Sequence, residues 1–223
     1  MHSPVDNIKG LLENEKLDTW GWVFYRCTYN DEEAWTRFKR GVIREMQDEL
    51  AWRKTPELEK SLALTFLEDQ EAFEGASKAQ LRAYFQKWVP GAFASENPRT
   101  SAEFGGPMPL VRYRYFFQID EASLRSIVYE GRYPPEEYLE GYVNFVDGYW
   151  KTLSELGLED DENPWPDEPG EYDAPIEGCI EENVGWMKLD AADISMEWYD
   201  GIDGFEYESW YIFYQRPPAI VTW

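Results

Sequence analysis

Four times along this chain a run rich in β-formers halts at an Asn or Asp and gives way to apolar residues at helical spacing. Trp20 to Tyr29 runs into Asn30, Val111 to Ile119 into Asp120, Tyr142 to Val146 into Asp147, and Val184 to Leu189 into Asp190. β-Branched and aromatic side chains suit a pleated, half-buried surface. Asp and Asn instead satisfy the free N–H groups in the first turn of a helix. Strand, cap and helix in repetition therefore require a fold that mixes both elements around a sheet. The strands alternate in polarity instead of running continuously apolar. This predicts an α+β class, with a mostly antiparallel sheet and helices packed on one face. Two β-α-β halves of a ferredoxin-like kind fit the pattern.

The first half spans 20–91. Asn30 to Glu33 reads as a capping box, and Trp35, Phe38, Val42, Met46 and Leu50 form one apolar stripe of a helix over 31–52. Leu62, Leu64 and Phe66 alternate as a short strand. Ser77 with Gln80 opens a second helix, whose stripe is Leu81, Tyr84, Phe85 and Trp88 and which Pro90-Gly91 ends. The turn-rich stretch 92–109 connects this half to a second, 110–223, within one compact domain of residues 1–223. In the second half, Asp147 starts a short helix through Trp150, Leu153 and Leu156, and Asp190 starts one reaching about Tyr199. Glu208 to Arg216 reads as the last strand before Pro217-Pro218. Residues 158–182, with Pro164, Pro166, Pro169 and many like charges, read as an acidic loop.

Eleven Trp and an aromatic content of 17% supply a large core, since each buried ring removes roughly 150–250 Å² from water. Disordered chains are poor in such residues. The charge is lopsided: residues 152–223 carry 19 acidic side chains against Lys188 and Arg216, within a net charge of −23. Such a surface repels nucleic acid, whose binding rests on Lys and Arg displacing counterions, and repels anionic membranes likewise. Met1 to Trp20 contains no apolar run of the kind a secretory leader needs, and no stretch approaches the roughly 20 apolar residues of a membrane span. With only Cys27 and Cys179, reduced thiols and a cytoplasmic location are expected.

Four stretches carry a resemblance: Gly21 to Tyr29 with Asp31 to Trp35, Arg112 to Glu121, Glu177 to Met187, and Trp210 to Pro218. Together they resemble a group of uncharacterised proteins from filamentous fungi. The similarity runs through most of the chain and implies an intracellular fungal protein. No activity is established for that group, so it assigns no functional residue.

Catalytic devices are scarce. His2 is the sole histidine, which excludes a Ser-His-Asp or Cys-His arrangement within one chain and removes His-based metal sites. Gly201-Ile-Asp-Gly204 lacks the Lys and Ser/Thr of a phosphate loop. Glu32-Glu33, Asp160 to Glu162, Asp167-Glu168 and Glu181-Glu182 offer hard oxygen ligands without the spacing of a calcium loop, and read as solvated charge. Cys27 adjoins Arg26, but neighbours on a strand point to opposite faces, so a small buried hydrophobe is the better account. No cofactor or metal is expected.

Strand alternation yields one further expectation. Trp22 and Arg26 share a face of the first strand, Arg112 and Arg114 of the next, and Trp186 lies on a third. Tyr214 and Arg216 share a face of the last. If helices cover only the opposite side, these residues gather on one uncovered Arg/aromatic face. That face admits three readings: a small-molecule cleft, a protein or homodimer surface, or structural ion pairs. Ligand or partner binding is the expected function. The alternatives are a cofactor-independent enzyme built on an Arg/Glu pocket, and an acidic nucleic-acid mimic that engages a basic protein.

Overall fold

A computed structural model describes residues 3–100, 106–157, 174–202 and 207–223. The chain is α+β, with one mixed sheet of six strands in the order β2-β1-β3-β4-β5-β6. The strands are β1 (Val23–Arg26), β2 (Thr65–Leu67), β3 (Tyr115–Ile119), β4 (Tyr142–Asp147), β5 (Trp186–Asp190) and β6 (Ile220–Val221). The helices among the described residues are α1 (Pro4–Asn14), α2 (Glu32–Arg53), α3 (Pro56–Glu59), α4 (Gln70–Phe73), α5 (Lys78–Glu96), α6 (Val111–Arg114), α7 (Glu121–Val128), α8 (Met196–Gly201) and α9 (Tyr207–Phe213). None is long and apolar enough to cross a membrane.

The middle of the sheet is antiparallel, with Phe117 opposite Phe145 and Phe145 opposite Met187. Its flanks are parallel: β1 pairs with both β2 and β3, and β5 pairs with β6. The unit β1-α2-β2 therefore returns parallel, whereas β3-α7-β4 folds back antiparallel. The two halves of the chain are not copies of one another.

Helix starts follow local chemistry. Asp31 caps α2 by accepting the Ala34 N–H, Asp120 caps α7 through Ser123, and Ser77 with Gln80 forms a full capping box on α5. Helix α5 continues through Pro90 to Glu96 instead of ending there. The proline removes one i→i−4 bond, but Val89 and Phe93 keep the segment packed against the sheet. Asp147 does not start a helix. It ends β4, its Oδ1 accepting the Tyr149 N–H at 2.8 Å, and only a 3-10 turn at Ser154–Leu156 follows.

Both faces of the sheet are covered, which corrects the expectation of helices on one side. On one face α1, α2, α7, α8 and α9 bury Ile8, Trp35, Phe38, Val42, Leu124, Ile127, Trp198 and Trp210 against Trp22, Phe24, Phe117 and Phe145. On the other, α4 and α5 bury Phe73, Leu81, Phe85 and Val89 against Tyr25, Phe116, Val146 and Trp186. Side chains of β1 alternate between the two cores, Trp22 and Phe24 in the first, Val23, Tyr25 and Cys27 in the second.

Two segments expected as strand are helical. Residues 111–114 form α6: the ladder with β4 stops at Tyr115 opposite Asp147, and beyond it only the Arg114 carbonyl is engaged, by the Gly148 N–H at 2.8 Å. The local bond from the Tyr115 N–H to the Val111 carbonyl takes its place. Residues 207–213 form α9: Trp210 stacks on Tyr214 four residues on, and Tyr211 and Ile212 face outward. An aromatic-rich run satisfies the helical period as readily as the strand period.

Candidate functional site

The single Arg/aromatic face does not form. Trp22 is fully buried, packed edge-on against Phe117, Phe145 and Tyr199. Arg26 lies on the same side of the sheet, its Nη2 at 2.7 Å from Glu32, its Nη1 at 3.5 Å from Glu68, and its plane over Tyr29 and Trp35. Arg112 reaches from α6 to grip Glu96 with two bonds, Nε at 2.8 Å and Nη2 at 2.7 Å, and also holds the Ala63 carbonyl and Thr65 hydroxyl. Arg114 pairs with Asp147 at 2.8 Å. Burial alone would push the Glu96 carboxyl up, but the Arg112 fork and the Tyr113 hydroxyl outweigh it and hold Glu96 below the carboxylate range. These arginines join elements together.

Trp186, Tyr214 and Arg216 lie elsewhere. Trp186 belongs to the second core. Arg216 donates to the carbonyls of Glu181, Ala174 and Cys179, and the Tyr214 hydroxyl donates to the Glu182 carbonyl. Both thus pin the chain that leads into β5.

That chain forms one wall of a cleft of about 530 Å³. The opposite wall is α5, with Arg82, Ala83 and Gln86, and the floor is Trp150, Val184 and Trp186. Lys151, Glu155, Glu177 and Cys179 line the rim. Arg82 is anchored by main-chain carbonyls: Nε donates to Asp147 at 2.9 Å and Nη2 to Gly185 at 2.9 Å. Burial lowers its proton affinity, with Asp147, Glu177 and Glu155 pulling the other way. No carboxylate lies within salt-bridge distance of it among the described residues, and its Nη1 has no protein acceptor there. Trp150 packs on the bare backbone of Gly185, where φ is +72° and a Cβ would fall 2.3 Å from the indole. The Arg82 guanidinium sits 4.8 Å from the same ring. Beside it, Lys78 lies 3.7 Å above Trp186 and pairs with Glu177 at 2.6 Å.

Proton-transfer groups are poorly placed. Cys27 is buried, and burial together with Asp120 pushes its thiol up to about 12. Both cysteines are free. Within the cleft, the Thr152 backbone N–H and hydroxyl hold Glu155 below its ordinary value. Burial raises Asp193, but it accepts the Trp223 N–H and lies in a separate, open, acid-lined depression whose Arg53 is engaged by Glu49 and Glu197. Among the described residues no group of three His, Cys, Asp or Glu side chains could hold a metal ion. The acidic runs Asp160 to Glu162 and Asp167-Glu168 lie outside the described residues.

No family model, no curated protein and no solved structure matches the chain.

Of the sequence-expected residues, only Trp186 lines the cleft, while Arg216 and Tyr214 brace its wall. Arg82 and Trp150 were missed. The capping box at Ser77 places Arg82 on α5, but nothing in the sequence reveals that its side chain reaches the ends of β4 and β5.

Proposed function

We propose that this protein binds a small organic ligand in the cleft between α5 and the chain flanking β5. The observation that supports this reading is Arg82: a guanidinium fixed by main-chain carbonyls, with no counter-carboxylate among the described residues, beside an indole on the floor of a concave site. Ligand sites are concave, largely apolar and carry few oriented polar groups, and a cleft of about 530 Å³ holds a metabolite-sized molecule. Binding is favoured over catalysis because Glu155 in the cleft is held below its ordinary value by Thr152, away from the range a general base needs. A metabolite panel tests the reading by NMR with labelled tryptophan indoles. Compounds that raise the melting temperature should move the Trp150 and Trp186 resonances first. Stabilising compounds that leave both unmoved would refute it.

A further inference from the structure

The charge balance and geometry of the cleft name the class of ligand. The lining carries Arg82 and Lys151 against Glu155 and Glu177, and Lys78 neutralises Glu177 from behind. Among the described residues the local balance is therefore positive, in a molecule of net charge −23. Arg82 is immobilised, since Nε is held by the Asp147 carbonyl and Nη2 by the Gly185 carbonyl and, at 3.5 Å, the Val184 carbonyl, and its Nη1 N–H groups are left for a ligand. The free Nη1 N–H groups suit a carboxylate oxygen, and the bond would be charge-assisted. The half-buried Trp150 indole beside it offers a flat apolar surface, backed by Gly185, on which a ring stacks.

Resting on the cleft reading above, we infer that the ligand is a small planar carboxylate: a carboxylate oxygen accepts from Arg82 Nη1 and its flat body lies on Trp150. Lys151, exposed at the rim, adds long-range attraction. Glu155 opposes it as the one rim carboxylate with no cation bonded to it among the described residues, its oxygen accepting instead from the Thr152 N–H and hydroxyl.

Calorimetry with a matched pair of probes, indole-3-acetate and indole-3-acetamide, tests this, with free indole as a neutral control and the Trp150 resonance reporting location. The acetate should bind about tenfold more tightly than the amide, since a charge-assisted bond exceeds a neutral one by about 1.4 kcal/mol, which is tenfold. Lys151→Gln should weaken the acetate about threefold and leave the amide alone. Glu155→Gln should tighten the acetate by about the same factor, a gain that a purely structural effect cannot give. Arg82→Gln should remove the preference for the acetate. Because Arg82 also joins the ends of β4 and β5, the two rim variants carry the test if that variant unfolds. Equal binding of acetate and amide at Trp150 would overturn the carboxylate inference and leave the cleft standing as a site. Failure of all three probes to move Trp150 would overturn both.

Discussion

Replacing Arg112 with Met would leave Glu96 half-buried and facing no cation, because the fork that holds it comes from Arg112 alone. Breaking such a pair by removing one partner costs about 3 kcal/mol. The pH dependence has a defined sign. Glu96 is held below its ordinary 4.5, so its contribution is present above that pH and is lost as pH falls through the lower, folded value. Urea melts should show the wild type and Arg112→Met differing most at neutral pH and converging below about pH 4. A difference that does not change with pH would contradict the role given to Glu96. Thiol chemistry provides a second check at this scale. Cys27 is 5% exposed with its thiol raised to about 12, whereas Cys179 is half-buried at the cleft rim. Thiolate-selective reagents should modify Cys179 in the folded protein and reach Cys27 only on unfolding. The burial of Cys27 was legible from strand alternation alone. The fate of Arg112 and Arg114 was not: their partners, Glu96 and Asp147, come from α5 and the end of β4, 16 and 33 residues away.

Asp147 starts no helix and Asp190 only a 3-10 turn, α8 being capped by Ser195. The helix starts at Asp31, Ser77 and Asp120 were legible, because a cap is a contact between residues three apart. Asp120 illustrates this and extends it. It accepts the Ser123 N–H at 2.8 Å, and its other oxygen takes the Asn144 side-chain amide at 2.9 Å, tying α7 to β4. Asp120→Ala should cost about 1–2 kcal/mol by urea unfolding, toward the upper end for a cap because a second bond is lost with it. A cost near zero would show that the cap is dispensable. Endings were less legible. Pro90 reads as a stop, yet α5 runs on because the apolar side chains Val89 and Phe93 reward continuation. Likewise α9 reads as a strand, since a run dense in rings carries no unique period. Arg82 lies on α5, upstream of the proline, so misplacing the helix end did not conceal the site. What concealed it was distance: the carbonyls it holds are 65 and 103 residues away.

On the scale of the whole molecule, 44 acidic side chains against 21 basic ones set the solution behaviour. Self-repulsion destabilises a compact state of high net charge, and salt screens it over distances beyond about 10 Å at 0.1 M. Raising salt to 0.5 M should increase the melting temperature by roughly 2–4 °C, the shift that about 1 kcal/mol gives a chain of this size. A fall would mean that screened ion pairs outweigh the repulsion. The α+β class was legible from the repeated strand-cap-helix order. Coverage of both sheet faces was not, because alternating strands look alike whether the second face meets solvent or a second layer of helices. That second layer turned the expected open face into a second core and left the concave space beside α5, at the end of β4 and the start of β5. Soaking crystals with a library of small organic fragments addresses the proposal for that space most directly. Fragments should collect against Arg82 and Trp150, carboxylates foremost; fragments that settle elsewhere while this cleft stays empty would contradict it.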